Sequence, residues 1–334
     1  MKKIHILLPF IIMLLVSCKQ NPKELKLVKF TGEAQGTYYA VTYYDTENRN
    51  FQASIDSLLK QFDQCASIYQ KSSLISRINN NEPGVKVDST FIRIFNLAQK
   101  ISSETDGAFD CTVGPLVKAW GFSIKESKEL EIPKIDTLLK YIGYQKVKIE
   151  NNIFIKESPE IMIDFNAIAQ GYSTDLIAEF LRFKGIENYL VDVGGEVLGK
   201  GKKIDGSLWV VGIEKPADNA ESERIIQTKV QLRDKALCTS GNYRKYRMIN
   251  GKKYSHEIDP KTGNPVTHNL LSVSVMAANC GAADAYATAF MVMGLEKSKI
   301  FLTKHPELAV YFIYADAKGE IKTDYTPNFI QHIK

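Results

Sequence analysis

Apolar and polar residues alternate with a period of two across "LKLVKFTGEAQGTYYAVTYYD" (25–45), on both sides of a Gly-containing turn, which predicts an antiparallel strand pair. The period then lengthens. Residues 51–65 and 88–105 repeat their apolar positions at helical spacing, and Asp88 and Ser89 suit a helix N-cap. "KVKIENNIFIK" (146–156) reads as a hairpin turning at Asn151 and Asn152, "EIMIDF" (160–165) as a strand, and about 167–183 as a helix. "NYLVDVGGEVLGKGKK" (188–203) is strand, double glycine, strand. Segments 206–216, 225–234, 246–259 (turning at Asn250 and Gly251) and 270–278 add further strands. "NCGAADAYATAFMVMG" (279–294) is an apolar helix, followed by a second helix near 296–304 and a strand over 308–316. Most strands are joined by hairpins while helices come in blocks. The predicted class is therefore α+β, mainly antiparallel sheets with packed helices, and not a regular βαβ alternation. No repeat, low-complexity run or long linker divides the chain, so one compact unit is expected.

With 334 residues, 44% of them hydrophobic, the chain can bury a full core. The net charge of +5 is spread along it, and no basic run interleaves with aromatics as a nucleic-acid groove requires, so no nucleic-acid partner is expected. The amino terminus is more informative. Lys2 and Lys3 precede an apolar stretch over 4–16 that is too short to span a bilayer, and the stretch closes on "LVSC" (15–18). This resembles the lipobox of bacterial lipoproteins. It predicts a lipoprotein signal peptide over 1–17, acylation of Cys18 as the first mature residue, a polar tether over 18–25 and a folded domain over 26–334. Export makes Cys65, Cys111, Cys238 and Cys280 candidates for disulfides. None pairs at CxxC spacing, which argues against a zinc site or a redox dithiol, and buried thiols are the preferred reading.

Candidate chemistry gathers at the ends of the predicted elements. Asp284 and Thr288 are four apart, so on a helix both face one way and offer two oxygens to a hard cation. An Asp near a helix start also serves as a cap or dipole partner. "SHEIDPKTGNPV" (255–266) sets His256 at a strand end beside a rigid Pro/Gly turn, where it is a plausible base or phosphate contact or merely an exposed turn residue. "TSGNYRKY" (239–246) places a glycine turn ahead of Arg244, residue types that accept an anion. "ETDGAFDCTVGPLVKAWGF" (104–122) turns at Asp106 and Gly107 and presents Asp110 before an apolar helix. "IDFNAIAQGYSTD" (163–175) leads from a buried strand into a helix through Asp164 and Asn166, and "VDVGGEVLGKG" (191–201) supplies two glycines for close backbone approach. Each segment alone reads as a cap or a turn. Together they suggest one convergent site.

These motifs, with "GTYYAVTY" (36–43), "SIYQKSSLISRIN" (67–79) and "ADAYATAFMVMG" (283–294), occur in the order seen in the ApbE-type FAD:protein FMN transferases, a family the chain resembles from about 36 to 294 and on through the final strand. The resemblance implies a flavin transferase domain over 26–334. The reaction it implies moves the FMN moiety of FAD onto a Thr or Ser hydroxyl of a partner protein and releases AMP. It implies Mg²⁺ as cofactor, with Asp284 and Thr288 as side-chain ligands and Ala167 and Ala287 giving backbone oxygens. It places Tyr69 against the isoalloxazine, Ala108, Phe109 and Asp110 along the cofactor, Asp164 on a polar edge and Ile258 against FAD. It makes His256 the proton acceptor or a phosphate contact, paired in catalysis with Asp284. Gln35 and Gln170 fall at cofactor-facing positions where the family often has Met and Lys; a glutamine still donates hydrogen bonds there. The implied acceptors are exported or membrane redox subunits of the sodium-pumping NADH:quinone reductase or Rnf kind, facing the periplasm, with the lipid on Cys18 holding the chain at the inner membrane. Sequence leaves open an Mg²⁺-dependent FAD pyrophosphatase and a non-catalytic flavin-binding lipoprotein.

Overall fold

The computed structural model describes residues 24–122, 134–216, 225–242, 246–249 and 252–334. The predicted signal peptide, Cys18, Arg244 and the Asn250–Gly251 turn lie outside the described residues. The first hairpin, β1 (Lys26–Ala34) and β2 (Thr37–Asp45), pairs Ala34 with Thr37 across a two-residue turn. Gln35 (φ 55°) and Gly36 (φ 73°) both adopt left-handed backbone there, as a turn matched to strand twist requires. The predicted helices follow as α1 (Gln52–Ala66) and α3 (Ser89–Glu104), with the short α2 (Leu74–Asn79) between them. Asp88 caps α3 by accepting the Phe91 amide at 2.8 Å. Next come α4 (Gly114–Ala119), α5 (Ile135–Leu138) and the hairpin β3 (Val147–Glu150) and β4 (Ile153–Lys156).

The remaining elements are α6 (Ala169–Phe183), β5 (Tyr189–Val193), β6 (Glu196–Lys200), β7 (Trp209–Glu214), β8 (Ile226–Leu232), β9 (Lys235–Gly241), β10 (Tyr246–Ile249), β11 (Lys252–Ser255), β12 (Leu270–Ala277), α7 (Cys280–Met293), α8 (Leu295–Leu302), β13 (Ala309–Ala315) and β14 (Ile321–Tyr325). Eight strands form one sheet in the order β1-β2-β5-β6-β9-β12-β13-β14, antiparallel at every pairing. The predicted α+β class is what the chain adopts.

On the central strands, period-two patterning sends alternate residues to two cores. On β13, Val310 and Phe312 enter the larger core under the helices. Ala309, Tyr311 and Ile313 enter a second core on the opposite face, built with Trp209, Val230, Leu232 and Phe329. The β7–β8 hairpin closes that second face. Apolar on every side, α7 runs through the larger core against β9, β12 and α6, as an unstriped helix must.

Two expectations need correction. "EIMIDF" is no ladder strand: among the described residues its pairing is a single parallel bridge, Met162 with Val113. Side chains satisfy its backbone instead. Asn79 donates from Nδ2 to the Ile163 carbonyl at 2.8 Å and accepts the Ile163 amide at 2.7 Å, while Lys156 Nζ donates to the carbonyls of Ile78, Pro159 and Ile161 at 3.0–3.2 Å. Nor does Asp284 cap its helix. Asn279 does, accepting the Ala282 amide at 2.9 Å.

A close backbone contact in the large core joins α6 to α7. A Cβ at Gly171 would stand 2.4 Å from the Cys280 carbonyl oxygen and 2.7 Å from Asp284 Cβ, so no side chain fits there. Gly171→Ala is expected to lower stability by about 3 kcal/mol through forced separation of the two helices, read as an earlier urea midpoint at unchanged slope.

Candidate active site

Asp284 lies one turn beyond the α7 N-cap and is 6% exposed. Its Oδ2 accepts the Gly171 amide at 3.0 Å. That amide is one of the first-turn amides of α6 that a helix leaves without an internal acceptor, and Asp284 supplies one. Ala167 is half-buried in the turn leading into α6. Ala287 is fully buried in α7, and Thr288, one turn past Asp284, is half-buried with its hydroxyl 3.3 Å from that of Ser240 on β9. The Gly171–Asp284 bond sets this stretch of α7, with Ala287 and Thr288 on the turn after Asp284, in a corner against the start of α6, where Gly171 lies four residues past Ala167.

Beside this corner, Gln170 reaches the Gly194–Gly195 turn between β5 and β6. A Cβ at Gly194 (φ 63°) would meet Thr37 Cγ2 at 2.7 Å and Gln170 Nε2 at 3.1 Å. The turn holding Gln35 is two residues from Thr37, at the same end of the sheet. Both polar atoms of the Gln35 carboxamide are buried without a hydrogen-bond partner among the described residues.

The segment containing Ala167 also carries the flavin-side residues. Asp164, 7% exposed, accepts the Asn166 amide at 2.7 Å and the Asn166 side chain at 3.3 Å, and its own amide donates to the Cys111 carbonyl at 2.8 Å. Burial outweighs these bonds and pushes its carboxyl up to about 6. Tyr69 stands exposed beside it, its hydroxyl 3.5 Å from Asn166 Nδ2. Asp110 also has a raised pKa, again from burial. Its carboxylate already takes the Thr112 amide (2.8 Å), the Thr112 hydroxyl (2.7 Å) and the Tyr144 amide (2.8 Å). Three internal donors make it first a loop organiser. Ala108 and Phe109, 8% and 3% exposed, pack in the large core just before it.

The third wall is the loop following β11. His256 Nε2 is 3.3 Å from Oε1 of buried Glu257, and its ring meets Phe122 edge-on at 6.4 Å. Ile258, 6% exposed, anchors a small core with Leu116, Trp120, Ile142 and Ile249. Three contacts fasten this wall to the 106–122 segment: Lys261 pairs with Asp106, Trp120 Nε1 donates to the Gly263 carbonyl at 2.8 Å, and Arg247 Nη2 donates to the Gly121 carbonyl at 2.8 Å. The segments that carry the predicted site residues are therefore linked from α7 through α6 and the 164–170 turn to the 106–122 segment and the His256 loop, by bonds made largely by other residues.

Sequence reading missed four contributors. Gly171 permits the helix contact, Asn79 clamps the backbone next to Asp164, and Ser240 adds a hydroxyl beside Thr288. Glu196 is the fourth, 8% exposed, with Oε2 unpartnered among the described residues. Burial first, and then the charge of Asp284, holds its carboxyl well above the usual range. A glycine near the start of a helix and an acid directly after a double glycine were the available signals.

The sequence model of the ApbE family matches residues 35–312. The FAD:protein FMN transferase of Vibrio cholerae is 36% identical over 296 residues, 86% of this chain and 86% of its own. That of Haemophilus influenzae is 34% identical over 312 residues, 89% of each chain. Among solved structures, the flavin transferase ApbE from Vibrio cholerae matches with a TM-score of 0.81 at 32% identity, covering 92% of this chain and 100% of that one. The apo flavinyl transferase ApbE of Pseudomonas stutzeri matches with a TM-score of 0.81 at 30% identity, covering 92% and 97%.

Removing the clamp on Ile163 should loosen the turn that presents Asp164. In Asn79→Ala, the Ile163 amide is expected to exchange with solvent at least tenfold faster and stability to fall by about 2 kcal/mol; unchanged exchange at Ile163 would contradict the assignment.

Proposed function

The chain belongs to the ApbE family, and on that premise we propose that it is an FAD:protein FMN transferase acting on a Thr or Ser hydroxyl of a partner protein. The acceptor oxygen bonds to the phosphorus on the FMN side of FAD, the bridging P–O bond breaks, and AMP departs with the bridging oxygen. The observation that carries this reading is the α6–α7 corner, where a buried carboxylate on α7, with a half-buried hydroxyl one turn later, accepts the first-turn amide of Gly171 in α6.

Every group offered at that corner is a hard oxygen, the donor set Mg²⁺ prefers. Among the described residues no cluster of three or more His, Cys, Asp or Glu side chains is grouped for a metal. A cation here would draw on the Thr288 hydroxyl and the carbonyls of Ala167 and Ala287 beside the Asp284 carboxylate. When bound, Mg²⁺ supplies positive charge that neutralises the pyrophosphate.

The chain's own groups do the rest. Gln35 brings a carboxamide with two unmet hydrogen bonds, and Gln170 and the Gly194–Gly195 turn let backbone approach the ligand closely. Asp164 accepts from a polar edge of the flavin, with Tyr69 against the ring and Ala108, Phe109 and Ile258 giving apolar support. His256 takes the proton of the attacking hydroxyl or contacts phosphate, its ring oriented by Glu257 and Phe122.

The basic and apolar leader ending at Cys18 supports a signal peptide over 1–17, a lipid anchor on Cys18, a tether over 18–25 and a catalytic domain over 26–334 facing the periplasm from the inner membrane. No helix among the described residues is long and apolar enough to cross a membrane. Acceptors of the sodium-pumping NADH:quinone reductase or Rnf kind would share that compartment.

The decisive assay incubates the chain lacking 1–18 with FAD, Mg²⁺ and a Thr-containing acceptor domain, and follows acceptor mass and AMP. One FMN gained per acceptor with matching AMP is expected, falling at least a hundredfold in Asp284→Ala and Thr288→Ala. AMP with free FMN and no mass gain would indicate the pyrophosphatase instead. A second test uses pH. The ionised Asp164 carboxylate is a stronger acceptor than the neutral carboxyl, so FAD affinity should fall, by up to about tenfold per unit, as pH drops below about 6, and Asp164→Asn should flatten that limb in a flavin-fluorescence titration.

A further inference from the structure

Two cysteines outside the groups assigned to catalysis meet beneath the α7 corner. Cys238 lies in β9 and Cys280 is the first residue of α7; both are fully buried. Their sulfurs are 3.2 Å apart, against about 2.05 Å in a disulfide. Both backbones are fixed independently. Cys238 sits in the ladder opposite Val275 of β12, and the Cys280 amide donates to Asp175 Oδ1 at 2.8 Å while its carbonyl lies against Gly171. The remaining gap is about 1.2 Å, within the reach of side-chain rotation at the two cysteines. By contrast, the Cys65 sulfur is directed at the Asp88 carboxylate, 3.8 Å away.

We propose that Cys238 and Cys280 form a disulfide that pins the first turn of α7 to β9. The bond would set the spacing between the two elements whose next residues face each other at the site. Beyond Cys238, Ser240 presents its hydroxyl 3.3 Å from Thr288, and one turn beyond Cys280 stands Asp284. In forming it, the thiolate of one cysteine attacks a disulfide donor of the small-molecule or protein-dithiol class, releasing one donor thiol and leaving a mixed disulfide. The second cysteine, as thiolate, displaces the remaining donor thiol. Two cysteine thiols are oxidised, the donor is reduced to two thiols, and the two protons end on them. Since neither sulfur is solvent-accessible in the folded chain, exchange belongs to folding, and the donor's presence rests on the proposed export.

The test refolds the full chain in a glutathione disulfide/glutathione buffer or in dithiothreitol, blocks thiols with N-ethylmaleimide in denaturant, and maps peptides without reduction. The expected result is one linked species containing Cys238 and Cys280 that separates on reduction, with Cys65 and Cys111 carrying maleimide. The oxidised chain should also unfold several degrees higher than the reduced one, a difference absent from Cys238→Ala. Separate maleimide or glutathione adducts on Cys238 and Cys280 in the glutathione-refolded chain would overturn the proposal. So would either cysteine linked to Cys65 or Cys111. Peptide mapping reads the unaltered chain, so the answer does not depend on whether Cys238→Ala folds.

Discussion

At Gly171, α6 and α7 approach more closely than any side chain allows, and the contact fixes two things together. It lets the Gly171 amide reach Asp284 at 3.0 Å, and it holds the start of α6 against the first turns of α7. A bulkier residue would separate the helices by more than an ångström, enough to break a hydrogen bond of that length. The rest of the site is registered from this point. Thr288 follows from Asp284 by helical period, and Asp164 follows from Ala167 by three residues of clamped backbone. The His256 wall is then reached through the Asp164–Cys111 bond and the contacts of the 106–122 segment.

Carboxylates perform much of this joining, Asp110 and Asp284 buried and Asp175 half-buried. Asp110 bonds the Tyr144 amide, Asp175 the Cys280 and Gly281 amides, and Asp284 the Gly171 amide, each across a large sequence separation. Backbone amides stabilise an ionised carboxylate without adding another charge, and they fix direction as well as distance. They do not fully offset desolvation. Asp175 is pushed up to about 6 by burial although it receives two amides at a helix N-terminus, and Asp164 reaches about 6 with its bonds from Asn166. Glu196 carries the further penalty of Asp284's charge, and one of its oxygens is without a partner among the described residues. Carboxyl groups that resist ionisation are thus gathered in a poorly solvated corner, an environment in which a divalent cation would favour their charged forms much more than at an exposed acid cluster.

The sheet and the long helices were legible because their patterns serve large apolar interfaces. The hairpin at Gln35–Gly36, the two-sided alternation of 308–316 and the all-apolar 279–294 each correspond to an observed element within two residues. What failed lies where side chains replace ladders. "EIMIDF" has strand composition, but Asn79 and Lys156 take the hydrogen bonds a neighbouring strand would have made, and no periodicity reveals that substitution. The edge strand β14 escaped because "IKTDY" buries no face. In the site, Asp284 and Thr288 could be paired by spacing, whereas Gly171, Asn79 and Glu196 become meaningful only once distant segments are in contact. Family resemblance supplied roles for residues such as Ile258 and Ala287 that their own chemistry does not suggest.

Gln35 marks where the unliganded fold carries its cost. Left-handed backbone disfavours a glutamine by about 1 kcal/mol, and each buried unpartnered polar atom costs roughly 1–3 kcal/mol more. Glycine or asparagine would relieve the strain at a hairpin turn, so turn formation alone does not account for this side chain. The penalty disappears if a ligand provides both a donor and an acceptor at the turn, which a nucleotide cofactor can do. Binding would then strengthen the β1–β2 hairpin itself, and through Thr37 and the Gly194 turn it would strengthen the packing that positions Gln170 at the first turn of α6.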